Sequence, residues 1–228
     1  SPDIFFYCFS LYTYRAYRSI GYCFQRKRYT IHSVYPCSVY HTPCGIWHRI
    51  MVGMHNTGIS LKNAFMKHLL ITGIGGYIGS NLAAFLSTLY KIRGIGYATR
   101  FSELRTLLPS SVHLIEGDIT DEATMSNAAK GVDVIIHTAG HTSERFCSQY
   151  PKEAQRSIVK GSLIAAKVAQ TEGTLFIYLS SFAVYSSYQK RSLPLYETDA
   201  LLPDSAYGKL KAQAEKEIAP YSPLTLRL

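Results

Sequence analysis

The sequence predicts an α/β fold: a doubly wound parallel sheet with helices on both faces, behind an irregular N-terminal extension. Three observations predict it. From residue 66 onward, short apolar runs alternate with stretches of helical period, the pattern of βαβ units. Several runs, VDVIIH at 132–137 among them, read as buried strands. A glycine turn joins the first run to the first helix.

The elements follow in order. Residues 69–72 (LLIT) form the first strand and 73–76 (GIGG) the turn. Residues 77–89 place Ile78, Leu82, Phe85, Leu86 and Leu89 on one helix face. A second strand spans 92–98, and a helix over 102–108 is stopped by Pro109. A third strand covers 112–115. The next helix, 121–129, has Thr120 or Asp121 as N-cap and Gly131 beyond its end. After the fourth strand come a long helix over 152–170, a fifth strand at 175–180, a helix over 204–218 and a sixth strand from 224. The chain ends inside that strand, so the sheet reads as C-terminally truncated.

Of the 228 residues 47% are hydrophobic and 17% charged, enough apolar surface for a core and too much for disorder. No apolar run reaches 18 residues, so no membrane partner is expected. The net charge of +9 would suggest nucleic acid, but +6 of it lies in residues 1–65, which hold seven Lys/Arg against Asp3 alone. The remainder carries +3, and no nucleic-acid partner is expected. Cys147 is the only cysteine after residue 65, which fits a reducing, cytoplasmic location.

Residues 1–65 show no steady period and are rich in Tyr, Cys, His and Arg. Three readings compete. An acid-poor, Arg-containing stretch fits a transit peptide, but its eight tyrosines do not. Cys37, His41, Cys44 and His48 could ligate a metal, but no strand–turn–helix pattern flanks them, and no metal is expected. The favoured reading is a segment without a function of its own, with Met66 as the natural start. The expected division is therefore an irregular extension, 1–65, and a folded α/β domain, 66–228, with the extension dispensable for that domain's ligand binding.

That domain's ligand is read from Thr72-Gly73-Ile74-Gly75-Gly76-Tyr77-Ile78-Gly79. Gly73 lets the chain turn off the strand, Gly76 admits a pyrophosphate to the backbone, and Gly79 allows helix and strand to pack closely. The following helix start offers N–H groups and a positive dipole end to phosphate. Strand, glycine turn and helix in succession are the context that makes this a Rossmann-type dinucleotide loop.

TGIGGYIG resembles the cofactor loop of the extended short-chain dehydrogenases/reductases, the group containing UDP-galactose 4-epimerase. Further segments match in order: Glu116-Gly117-Asp118-Ile119, His137-Thr138-Ala139-Gly140, Ser180-Ser181-Phe182-Ala183-Val184-Tyr185, and Tyr207-Gly208-Lys209-Leu210-Lys211. The resemblance implies that Gly73, Gly76, Tyr77, Ile78 and Gly79 hold the cofactor, with Asp118 and Ile119 at its adenine. It puts His137, Ala139 and Gly140 beside it, and Tyr207 and Lys211 at its nicotinamide end. It implies an NAD(P)-dependent epimerase or dehydratase acting on a nucleoside-diphosphate sugar, a small-molecule substrate, and permits a homodimer.

A Y-x-x-x-K match alone means nothing, because 18 tyrosines supply about one by chance. Its weight comes from lying 26 residues after Ser181, at the start of a helix after the fifth strand. Tyr207 and Lys211, at i and i+4, share a helix face. A nearby Lys211 ammonium would favour the Tyr207 phenolate, and Ser181 would hydrogen-bond the reacting substrate oxygen. Phe182-Ala183 stands where dehydratases carry acids, which favours an epimerase or simple reductase. Ile158 replaces the Asn of the family's N-V-x-G-T motif. The second strand ends near Tyr97 without an acid, and Arg100 stands close by, so NADP is favoured over NAD. The alternatives are an NADP-dependent reductase or hydroxysteroid-type dehydrogenase, acting on a carbonyl substrate, and a non-catalytic dinucleotide-binding module.

Overall fold

The computed structural model describes residues 67–185 and 195–228. The expected extension, Met66 and the Cys37, His41, Cys44 and His48 set lie outside the described residues. The strands are β1 (His68–Thr72), β2 (Lys91–Gly96), β3 (His113–Glu116), β4 (Val134–His137), β5 (Leu175–Ser180) and β6 (Leu224–Arg227). They pair into one sheet, all parallel, in the order β3-β2-β1-β4-β5-β6. This is the Rossmann order, with its switch point between β1 and β4. The helices are α1 (Tyr77–Leu86), α2 (Phe101–Leu107), α3 (Glu122–Ala129), α4 (Glu144–Gln149), α5 (Pro151–Gln155), α6 (Gly161–Glu172) and α7 (Ala206–Ile218). Among the described residues no helix is long and apolar enough to cross a membrane.

Strand side chains alternate between the two faces, and both faces are covered. On one, Leu70, Ile135, Phe176 and Tyr178 pack with Met125 of α3, Ala165 of α6 and Ala214 and Ile218 of α7. On the other, Leu69, Ile71, Ile136 and Ile177 pack with Leu82 and Leu86 of α1 and Leu104 of α2. The continuous apolar runs in the sequence follow from this double cover.

Several boundaries differ from expectation. Helix α1 stops at Leu86, because the amides of Thr88 and Leu89 fold back onto the Phe85 and Leu86 carbonyls at 3.3 and 3.0 Å. Strand β2 ends at Gly96, since Ala98–Arg100 wind into a 3-10 turn. The long helix expected over 152–170 is present and runs from Pro151 to Glu172, with a π turn at Arg156–Lys160 between its α-helical parts α5 and α6. The Ser162 hydroxyl donates to the Ile158 carbonyl at 2.6 Å, a back-bond of the kind that bends helices. Helix α4 was not expected at all; Ser143 caps it, accepting from the Phe146 amide at 3.2 Å.

The glycine turn is closed by near contact with the loop after β4. Gly73 has φ +68°, and a Cβ there would lie 2.7 Å from the Ala139 Cα. A Cβ on Gly79 would run into the Gly73 carbonyl, with the Thr138 Oγ1 at 3.0 Å. Gly79→Ala should therefore destabilise the fold by about 1–3 kcal/mol, the usual cost of overpacking. Gly76→Ala should cost less, because its Cβ would meet only the Gly73 oxygen, at 3.3 Å. Urea unfolding midpoints measure both; equal midpoints for Gly79→Ala and the parent would contradict the contact.

Candidate functional site

At the carboxyl ends of β1, β4 and β5 lies a cleft of about 160 Å³. Ile78 of α1, Ala139 and Gly140 after β4, Ser181 after β5, and Tyr207 and Lys211 of α7 all line it. Tertiary folding thus brings together groups spread over more than 130 positions of sequence.

The start of α1 is open. Its N-cap is Gly76, no side chain caps it, and its first turn holds no acid. Unpaired N–H groups and the positive dipole end therefore suit an anionic ligand. Arg100 runs alongside: a Cβ on Gly75 would lie 3.2 Å from the Arg100 Cβ and Cγ. The Arg100 guanidinium pairs with Glu103 at 3.0 Å, both half-exposed, a pair worth little in water. Tyr97 and Tyr77 are exposed at the same end of the sheet.

Asp118 and Ile119 lie outside the cleft lining. The Asp118 Oδ1 accepts from the Thr120 amide and its Oδ2 pairs with the Arg156 Nη2, each at 2.8 Å. Arg156 also donates to the Thr120 hydroxyl, from Nε at 3.0 Å and Nη2 at 2.7 Å. Asp118 therefore braces the β3–α3 loop against the π turn while its side chain stays 31% exposed. Ile119 is largely buried, and a Cβ on Gly161 would meet its Cγ1 at 3.1 Å.

His137 corrects the sequence expectation. It is fully buried and does not line the cleft. Its Nδ1 lies 2.9 Å from the Thr72 Oγ1 and its Nε2 3.0 Å from the Ser162 Oγ. The single Ser162 proton goes to the Ile158 carbonyl, so Ser162 accepts and the imidazole carries its hydrogen on Nε2. Nδ1 then accepts from Thr72, whose oxygen in turn accepts from the Ala139 amide at 3.3 Å. Burial, helped by the Lys211 charge, drops the imidazole pKa to about 3, so the ring is neutral. His137 can act on a ligand only by holding the Thr72 and Ala139 segments in place.

Ser181, Tyr207 and Lys211 meet as expected, but the charges differ. Burial pushes the Tyr207 phenol above its usual value, while a hydrogen bond with Ser181 pulls it back. The Lys211 Nζ donates to the Leu179 carbonyl at 2.6 Å and sits 4.1 Å from the Tyr178 ring centroid. Burial brings its amine down to about 7 against an opposing pull from Glu215. Glu215 is itself gripped by Arg227, through Nη2 at 2.7 Å and Nε at 3.1 Å.

Sequence reasoning missed several residues. Thr138, His141, Thr142 and Ser180 line the cleft. The Ser180 hydroxyl, 4% exposed, finds no hydrogen-bond partner among the described residues. Glu144 accepts from the backbone of Ala206 and Tyr207, more than 60 residues away, and no local pattern announces such a contact. A Ser143 N-cap before Glu144 was the one signal available.

Residues 69–224 match the NAD dependent epimerase/dehydratase family. The chain is 25% identical over 215 residues to a probable UDP-arabinose 4-epimerase 3 of Oryza sativa subsp. japonica, covering 87% of this chain and 51% of that protein. It is 29% identical over 167 residues to a dTDP-4-dehydrorhamnose reductase of Aggregatibacter actinomycetemcomitans, covering 72% and 50%. The chain thus spans about half the length of these relatives. Among solved structures, the UDP-glucose 4-epimerase of Thermotoga maritima with UDP-glucose is similar at TM-score 0.62 and 22% identity, over 68% of this chain and 51% of that one. At that identity the likeness carries the fold alone.

The neutral state of His137 has a pH consequence. The unfolded imidazole titrates at about 6.5 and the folded one at about 3, so folding favours the neutral ring. The stabilisation is full above about 6.5 and is lost as pH falls from there towards 3, at up to ~1.4 kcal/mol per pH unit. Urea unfolding at pH 7 and pH 5 should show this loss in the parent and not in His137→Phe. A parent equally stable at both pH values would contradict the neutral state of the buried ring.

Proposed function

Because this chain belongs to the NAD-dependent epimerase/dehydratase family, we propose that it binds a nicotinamide dinucleotide and reversibly oxidises a hydroxyl-bearing carbon of a nucleoside-diphosphate sugar. One observation carries the reading: Ser181, Tyr207 and Lys211 line one cleft with Ile78 and Ala139, beside the glycine turn. The chain's residues fit the dinucleotide. The uncapped, acid-free start of α1 suits its pyrophosphate, and Gly73 and Gly79 let the turn pack closely against the loop after β4. The unpartnered Ser180 hydroxyl offers a polar contact in the cleft wall. When bound, the dinucleotide supplies the acceptor and donor of hydride.

The protein's own groups handle the proton. Ser181 hydrogen-bonds the substrate oxygen and steadies the phenol. The Tyr207 phenol, protonated at rest, gives its proton to that oxygen as the carbonyl is reduced, and the phenolate so formed takes it back as the hydroxyl is oxidised. Lys211, its amine lowered by burial, holds the inner end of the cleft through Leu179. Phe182 and Ala183, after Ser181, offer no acid or base for expelling water, so epimerisation is preferred to dehydration. UDP-linked sugars are the favoured substrate class, supported by relatives named UDP-arabinose 4-epimerases.

A second reading, a one-way reductase using NADP, is favoured by Arg100 beside the glycine turn and by Tyr97 in place of an acid. Its weak pair with Glu103 leaves the guanidinium available to a 2′-phosphate. On either reading NADP is expected to bind more tightly than NAD.

Tyr207→Phe should leave dinucleotide affinity nearly unchanged and lower turnover of UDP-sugars by about 10²–10⁴, the worth of a positioned acid–base group. Lys211→Ala should harm both. Arg100→Ala should weaken NADP by about tenfold, the loss of a charge-assisted phosphate contact, and spare NAD. Steady-state kinetics and parallel titrations measure these effects. Parent-like turnover in Tyr207→Phe would overturn the mechanism, and tighter NAD binding indifferent to Arg100 would overturn the cofactor preference. Dinucleotide binding without turnover of any nucleotide sugar or carbonyl compound would leave the non-catalytic reading.

A further inference from the structure

We propose that Glu144 is a positioning residue for proton transfer, its carboxylate fixing the backbone of Tyr207 and, through it, the phenol. The inference rests on reading Tyr207 as the proton-transfer group.

A helix start leaves its first backbone N–H groups without intrahelical partners. In α7 those of Ala206, Tyr207 and Gly208 are the ones at stake. Ser205 takes one, its Oγ accepting from the Gly208 amide at 2.9 Å, and the first intrahelical bond runs from the Lys209 amide to the Ser205 carbonyl at 3.0 Å. Glu144 takes the other two: Oε1 accepts from Ala206 at 2.8 Å and Oε2 from Tyr207 at 2.9 Å. Helix α7 has no acid in its own first turn. The negative charge at its positive end is therefore supplied from across the cleft. The Tyr207 amide is the largest influence holding the Glu144 carboxyl below its usual range.

The geometry makes this more than a cap. Two oxygens gripping successive amides restrain the helix in rotation as well as position, and one of the gripped residues carries the phenol. Glu144 is itself anchored. It opens α4, whose start Ser143 caps, directly after the 138–142 segment that lines the cleft. His141 of that segment stacks on Phe146 of α4 with ring centroids 3.8 Å apart and planes 23° off parallel. The clamp thus ties one wall of the cleft to the helix that forms the other. Because Glu144 is exposed, its loss should be felt in the placement of Tyr207 more than in global stability.

Glu144→Gln keeps the shape but presents one acceptor and turns an NH₂ group towards the second amide. Glu144→Asp keeps both oxygens on a shorter stem. In the full chain labelled with ¹³Cζ-tyrosine, the Tyr207 signal is assigned by its loss in Tyr207→Phe. Its shift at neutral pH reports the surroundings of the phenol, Ser181 among them, and needs no turnover. Glu144→Gln should move that signal towards its position in Ser181→Ala, and Glu144→Asp part of the way back to the parent. With UDP-sugar, kcat should fall about tenfold or more in Glu144→Gln, as misplacement of a reacting group costs, while KM and dinucleotide Kd stay within about twofold. An unmoved Tyr207 signal overturns the proposal, and so does a variant altered only in its unfolding midpoint. If the parent turns over no UDP-sugar, the functional reading fails by itself while the Tyr207 signal still decides the role of Glu144.

Discussion

The buried imidazole of His137 is the joint on which the cleft depends. It sits at the end of β4, next to β1, where the chain's winding reverses and the sheet opens a crevice. One nitrogen accepts from Thr72 at the end of β1, and the other donates to Ser162 at the start of α6. Three elements that share no local sequence are thereby held by one neutral ring. A buried charge at this place would be costly, and the low pKa of His137 keeps it uncharged. The Thr72 oxygen also receives the Ala139 amide, so the glycine turn and the loop facing it inherit their positions from the same hydrogen-bond chain.

Two helix starts face the resulting site, and they are finished in opposite ways. Helix α1 has a glycine cap, no acid and open N–H groups. Helix α7 has a serine cap and a carboxylate delivered from α4. Both begin with the same unsatisfied donors and the same positive end. The first leaves them for an anionic ligand. The second consumes them internally and gains a fixed frame for Tyr207.

The charges inside the cleft are set by competition rather than by proximity in sequence. Glu215, one turn along α7 and gripped by two nitrogens of Arg227 from β6, pulls the Lys211 amine upwards, but burial outweighs it. Lys211 is left with a carbonyl and an aromatic face, and burial lowers its pKa. Tyr207 keeps a phenol raised by burial and eased by Ser181. Lys211 and Tyr207 share a helix face as i and i+4 positions should, yet their charged ends face different partners.

The strands, their parallel pairing and the glycine turn were legible in the sequence. Apolar runs, turn glycines and helical period are local consequences of burial and backbone sterics. Cleft-lining Ile78, Ala139, Gly140, Ser181, Tyr207 and Lys211 were legible because each stands at a fixed offset from a strand end or helix start. The π turn at residues 156–160, inside a helix that was legible, was not. Nor were the burial of His137, the engagement of Asp118 by Arg156, or the reach of Glu144 to Tyr207. The sequence by itself determined the sheet, the phosphate-facing turn and the identity of the reactive side chains, because those rest on interactions within a few residues. Only the tertiary structure decided which of those side chains face the cleft and how they are charged, because desolvation and hydrogen-bond partners come from segments 25 to 65 residues apart.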